Sequence, residues 1–375
     1  MKTKSTFFFI VFLTLLIISC SSGEDTYTTE LINGVNHIHN IAPRWGEEQR
    51  ISIEFVQKIG ELEGEDDNYL FYQPRDLEVD NEGNIYILDS RNNRIQKFDN
   101  EGEYIETIGR KGEGPGEFLT CSCIQIDITN NILYAGDHFN GRINIFSLDG
   151  KYLREIKTTN MVRIFLLTPE EKLIVDELSY SHSRWMQNEK KGEIGLLGIY
   201  DLKGQFIKEF GRAIDFGRRA AIYDGNLFRY EADDKGNIYV LFHRQNRIEK
   251  YSSDGNLIFT ADRKLNYEPE ITEEDIVTGG GDRIKITVFT NISGGLALDP
   301  MNRLWTSTLM TKNSSIADPP IYKERCFEIY NEDGILLQRL PVPVYFSYIK
   351  VFGDNLYLID SSKKMCIYEY KIVEK

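Results

Sequence analysis

Residues 74–118 read PRDLEVDNEGNIYILDSRNNRIQKFDNEGEYIETIGRKGEGPGEF, and this stretch decides the fold. Four short segments within it, 77–79, 85–88, 94–98 and 104–108, are rich in Ile, Leu, Val, Tyr and Phe, side chains that suit a pleated, half-buried surface. The pieces between them carry Asp, Asn and Gly, which tight turns require. The spacing predicts a four-stranded meander. One such meander cannot cover both of its faces, so it needs copies of itself stacked alongside.

The copies follow. An aromatic residue with Gly four positions later marks the third strand at Phe98/Gly102, Phe146/Gly150, Tyr200/Gly204, Tyr251/Gly255 and Tyr330/Gly334. Behind each lies a second strand opened by an aliphatic residue: Ile85, Ile132, Leu173, Ile238 and Leu304. A sixth copy begins at Leu356 and reaches Tyr368, without a turn glycine or a fourth strand. The missing strand is at the other end, where FVQKIG (55–60) matches the fourth strands YIETIG (104–109) and FIKEFG (206–211). An N-terminal strand that completes the last blade closes a ring and leaves no free edge between the termini. The expectation is an all-β, six-bladed β-propeller of four-stranded blades over 51–375, with 53–60 as the outer strand of the last blade. Its aliphatic openers and aromatic markers should be buried between blades.

Residues 74–109 resemble an NHL repeat, and the whole chain is similar to the six-bladed propeller lipoproteins of Gram-negative bacteria. The match is specific in the first blade and fair at 226–260. At 163–210 and 293–340 only the strand pattern and the aromatic–glycine marker persist. The resemblance implies a binding scaffold, and a minority of related propellers are enzymes. No blade carries the Trp-Asp end of a WD-type propeller.

Residues 1–20 read as a targeting segment outside the fold. Lys2 and Lys4 precede an apolar run, 7–18, broken by Thr14. The run is too short to span a bilayer, which takes about 20 residues. It ends in Ile17-Ile18-Ser19-Cys20, which resembles a bacterial lipobox whose cysteine is diacylated and becomes the new N-terminus. More than one acyl chain holds a protein stably at a membrane surface. Ser21-Ser22-Gly23-Glu24-Asp25 resembles the acidic stretch that sends some Gram-negative lipoproteins to the outer face of the outer membrane. Residues 21–50 read as a tether, in which 35–41 offers one further strand.

Net charge is −14, or −16 without Lys2 and Lys4, which argues against a nucleic-acid-binding protein. A monomer is expected. Besides Cys20 there are Cys121, Cys123, Cys326 and Cys366. Cys121 and Cys123, two apart in one strand, should share a face and not pair with each other. Cys326 and Cys366 fall in third strands of adjacent repeats, where an oxidising compartment permits a disulfide that spacing alone does not establish. Zinc needs about four Cys/His ligands in spaced pairs. No such pattern is present, and no metal or cofactor is expected.

Insertions cluster on one side. The first-to-second turns stay short, whereas 176–196 and 306–325 join second to third strands, and 109–120, 211–225 and 261–292 join one blade to the next. In a ring of meanders these two connection types emerge on one face, and insertions confined to one face mark a binding face. The loops bring Tyr180, His182, Arg184 and Trp185, then Arg218, Arg219 and Tyr223, then Met310, Lys312 and Tyr322. Aromatics and arginine dominate recognition energy in many interfaces, so a protein, peptide or glycan partner is expected here. The same aromatics would also serve to pack the loops onto the rim. Arg110 and Lys111 sit in a Gly-rich crossing that is not a phosphate loop, because it lacks GxxxxGK[ST] and no helix follows. Glu61 to Asp67 is an acidic loop at the equivalent crossing.

Asp89, Asn92 and Arg94 recur as Asp137, Asn140 and Arg142, and in part as Asn246 and Arg247. Residues repeated blade after blade serve the repeat, with Asp and Asn shaping the turn and Arg pairing with a neighbouring blade. The alternative to a scaffold is a metal-dependent hydrolase or lyase using the channel through Asp76, Glu231, His138 and His243. The first strands otherwise offer Arg75, Cys123, Arg163 and Arg229, and no Ser or Cys nucleophile has a recognisable base beside it.

Overall fold

The computed structural model describes residues 25–158, 163–178, 194–277, 279, 281–313 and 324–375. Six four-stranded antiparallel blades follow one another around a ring. Blade one is Pro74–Val79, Ile85–Asp89, Arg94–Phe98 and Tyr104–Ile108. Blades two to five span 121–157, 165–210, 228–263 and 291–341. Blade six takes three strands from the C-terminus, ending in Cys366–Glu374, and its fourth from Ile51–Ile59. That closing pair runs antiparallel from Ile367 opposite Ile59 to Glu374 opposite Ile51. The N-terminal closure is therefore as expected, two residues longer at its start.

Six apolar clusters lie one at each of the six blade interfaces. The aliphatic openers are buried in them except Ile132, which is half-buried. The aromatic markers Phe98, Phe146, Tyr200, Tyr251 and Tyr330 are all buried. The paired glycine has a physical cause at each repeat. Gly102 and Gly255 have φ of 81° and 71°, in the left-handed region that favours glycine. A Cβ at either would also lie 2.7 Å from a side chain of the preceding blade's fourth strand, Gln57 or Phe210. The turn glycine lets successive blades approach.

The Asp–Asn–Arg repeat proves to be a lock. Asp89 accepts from the Tyr72 amide, Asn92 Nδ2 and Arg94 Nε, while Arg94 Nη2 donates to the Asp67 and Leu70 carbonyls. Asp137, Asn140 and Arg142 repeat this on Leu119, Gly114 and Glu117. The arginine thus holds the crossing that enters its own blade, and the expected pairing with a neighbouring blade is replaced by this arrangement. In blade four Phe242 stands where the aspartate would be, and the Arg247 guanidinium stacks 3.9 Å from its ring centroid.

Two features depart from the sequence reading, and a third answers what it left open. Part of the expected tether is built into the sheet: Tyr27–Ile32 and Val35–Asn40 form a hairpin, the second strand pairing parallel with Leu257–Arg263 at the outer edge of blade four. A bulge between Cys121 and Cys123 turns them to different faces, Cys121 into the interface of blades one and two and Cys123 into that of two and three. Cys326 and Cys366 are buried free thiols.

Candidate functional site

The first strand of each blade is the inner edge strand, so backbone groups facing the channel lack a ladder partner and need another. Neighbouring blades supply it. Asp76 Oδ2 accepts the Ile124 amide at 3.0 Å, and Glu78 accepts from the Ile126 amide and Gln125 Nε2. Gln125 Oε1 in turn accepts the Leu167 amide of blade three.

Lys350, from Tyr348–Phe352 in blade six, reaches into this lacing. Its Nζ lies 3.4 Å from Asp76, 3.6 Å from Glu78 and 3.5 Å from Glu231. Asp76 and Glu231 belong to blades one and four, which are opposite each other in a six-membered ring, so the ammonium sits near the axis. Burial opposes its charge, but the fields of Asp76, Glu231 and Glu78 outweigh this and raise its pKa well above the usual value. Burial pushes Glu78 up to about 8 against the pull of Lys350, with Asp76 and Glu231 adding to the rise. Glu231 is raised by burial in the same way. The cluster is a floor across the channel, with one shared ammonium among carboxyls whose protonated form burial favours.

Above it is a cavity of about 370 Å³. It is lined by the starts of first strands (Arg75, Ser122, Arg163, Arg229, Tyr348) and by residues at or after the ends of second strands (Asp176, His243). Both sets of chain ends belong to the loop-rich face, so the cavity lies at that end of the channel. Its walls are apolar at Phe165, Leu166, Phe228 and Leu296.

The mouth differs from the floor in its partners. Arg163 Nη1 donates to the Tyr223 hydroxyl at 3.2 Å, and the Arg229 guanidinium lies 5.3 Å from the Tyr348 ring centroid. Arg75, Arg163 and Arg229 form no ion pair among the described residues. His243 Nε2 is buried without a hydrogen-bond partner. Burial, reinforced by Arg229, Arg244 and Arg325, drives its pKa well below the ordinary histidine value, so the ring is neutral.

Among the loop residues singled out from the sequence, Tyr223 lines the cavity, carried by a short helix, Arg219–Gly225. Arg219 is exposed at the start of that helix. Arg218 pairs with Glu273 of a hairpin, Ile271–Val277 with Arg283–Phe289, that stands in the crossing to blade five. Lys312 pairs with Glu270, and the Met310 sulfur meets Cys326 Sγ. Arg110 pairs with Glu117 inside its own crossing, and Lys111 bridges to Phe118 there; neither lines the cavity. Tyr180, His182, Arg184, Trp185, Tyr322 and Cys20 lie outside the described residues. Of the alternative catalytic set, Asp76, Glu231 and His243 line the cavity and His138 does not.

Residues 48–230 match a family model described as a six-bladed β-propeller, DUF5128. A solved member of the DUF4221 family from Bacteroides vulgatus has a TM-score of 0.57 at 11% identity, covering 87% of this chain and 99% of that one. A protein from Bacteroides fragilis gives 0.58 at 13% identity, covering 90% and 99%. At such identities the likeness shows the fold alone. The mouse peptidyl-glycine alpha-amidating monooxygenase is 34% identical over 107 residues, 27% of this chain and 11% of that protein. A Caenorhabditis elegans peptidyl-alpha-hydroxyglycine alpha-amidating lyase is 28% identical over 133 residues, 35% of this chain and 36% of that protein. The chain covers well under two thirds of either relative.

Proposed function

We propose that this protein is a lipoprotein of the outer membrane, anchored through Cys20, whose propeller binds a protein, peptide or glycan partner by its loop-rich face, with one end of the partner entering the channel mouth. The NHL-like blade and the lipobox-like start support the anchored scaffold. The observation that carries the ligand face is the cavity above the Lys350 floor, lined from the same side as every long insertion. Ligand sites are concave, largely apolar and marked by a few convergent polar groups, which describes this mouth.

The reading is tested by probing peptide and glycan arrays with the purified protein. Tyr223→Ala with Arg229→Gln should abolish the captured set, whereas Glu82→Ala with Asn100→Ala, in the short turns, should leave it intact. Loss from the short-turn pair alone would refute it. The anchor is checked by mass spectrometry of the native protein, where a free, unmodified N-terminus would exclude lipidation.

The sequence likeness to amidating enzymes favours a second reading, a hydrolase or lyase working in the channel. Its metal-dependent form fits the floor poorly. Asp76, Glu78 and Glu231 already surround the ammonium of Lys350, so a divalent ion there would face a fixed cation at the centre of its own donor set.

A further inference from the structure

We propose that the channel mouth recognises an organic oxyanion, a carboxylate or phosphate group carried on an apolar stem, with Arg75, Arg163 and Arg229 as its receptors. The inference rests on the ligand face argued above and names the chemistry of what enters it. Three observations converge on it.

The first is placement. The three arginines sit on or beside first strands of three different blades, one, three and four, all at the loop-rich end. No blade repeat demands them. The corresponding inner strands of blades two and six carry Ser122 and Tyr348 at the mouth instead.

The second is charge left unused. In a chain of net charge −14, neutralising carboxylates are abundant. Of the carboxylates lining the cavity, Asp76 and Glu231 are engaged with Lys350 in the floor, and Asp176 lines the mouth. Arg75 makes no side-chain hydrogen bond or ion pair among the described residues, Arg163 meets only the Tyr223 hydroxyl, and Arg229 lies over a ring. Guanidinium forks left without an acidic partner match the geometry of carboxylate and phosphate oxygens.

The third is His243. Its Nε2 is buried, lacks a partner and belongs to the same cavity. Buried polar atoms are nearly always hydrogen-bonded, so an orphan in the cavity that these arginines line marks a place for a further polar group. A neutral ring supplies one N–H to an oxyanion without adding charge. The walls between these groups, Leu227 and Phe228 among them, are apolar, which suits a stem in place of a free inorganic ion.

The test uses the whole mature chain and three small probes: 4-phenylbutyrate, 4-phenylbutylphosphonate and the neutral 4-phenylbutanamide, titrated by calorimetry or by ligand-observed NMR. At least one acid should bind ten-fold or more tightly than the amide, weaken between 50 and 500 mM salt, and lose ten-fold or more in Arg75→Gln/Arg229→Gln. Arg229→Lys should lose less than Arg229→Gln. Whichever acid binds better identifies the oxyanion. Equal binding of acid and amide, no binding of any probe at 10 mM, or a charge preference that survives the double variant would each overturn the inference. Array capture that still depends on Tyr223 would then leave the ligand-face reading standing with its anion preference removed. Unchanged melting of the double variant confirms that the loss is in recognition and not in folding.

Discussion

The two ends of the channel treat charge in opposite ways. At the floor, Lys350 is shared among three carboxylates from blades one and four, and each of those carboxylates is buried or nearly so. At the mouth, a few residues nearer the strand starts, Arg75, Arg163 and Arg229 have no acidic partner among the described residues. Burying charges costs free energy unless they are paired and hydrogen-bonded. The floor meets that condition and laces blades one, two, three, four and six. The mouth arginines are half-buried or exposed and do not face that cost, so they can stand without an acidic partner and remain available to a ligand. The fold therefore closes its axis with an internal salt cluster and keeps its cations for the side where the loops grow.

Breaking the floor should give the larger effect. Lys350→Met leaves Asp76, Glu78 and Glu231 facing one another without a cation, and removing one partner of a buried pair costs about 3–5 kcal/mol. Urea denaturation at neutral pH should show that loss. A variant as stable as the parent would mean that the carboxylates are already neutral or hydrated and that the floor is not a lock.

A milder change sharpens the same comparison. Burial pushes Glu78 up from its ordinary value of 4.5 to about 8 in the fold. Between those values the folded chain keeps a proton that the unfolded chain has released, so this group's contribution to stability falls as pH rises from 5 to 8. Glu78→Gln removes the titration and keeps an acceptor for the Gln125 and Ile126 donors. The parent should lose ~3.5 kcal/mol relative to this variant over that interval. Parallel pH–stability curves would show that Glu78 ionises normally.

Blade number, ring closure and the recurrence of the Asp–Asn–Arg set are legible in the sequence because each rests on a repeated pattern, whereas the crossing that the arginine holds is not. The aromatic–glycine pair marks a close approach that every blade must make, and FVQKIG (55–60) matches a fourth strand because it is one. The floor does not repeat. Lys350 stands in YIKVF with no local signature, and its partners lie more than a hundred residues away in the chain. Asp76 and Glu231 were noticed as carboxylates for a metal, and only the ring geometry shows a lysine between them. In the sequence Arg75, Arg163 and Arg229 are only further residues of the first strands; that they form a set depends on their shared position at strand starts. The bulge at Cys121–Cys123 and the parallel pairing of Val35–Asn40 escape sequence reading for another reason. Both depend on a partner strand, and neither alters the local pattern of apolar residues.

The smallest expected effect is the most telling. Arg75→Gln/Arg229→Gln should lie within ~0.5 kcal/mol of the parent in urea denaturation, the range typical of surface substitutions away from packed features, under the same conditions in which Lys350→Met loses ~3 kcal/mol or more. That contrast is the result the account predicts, cations at the mouth held for a ligand and the cation at the floor held for the fold. A double mouth variant that loses as much stability as Lys350→Met would contradict it, because those arginines would then be structural.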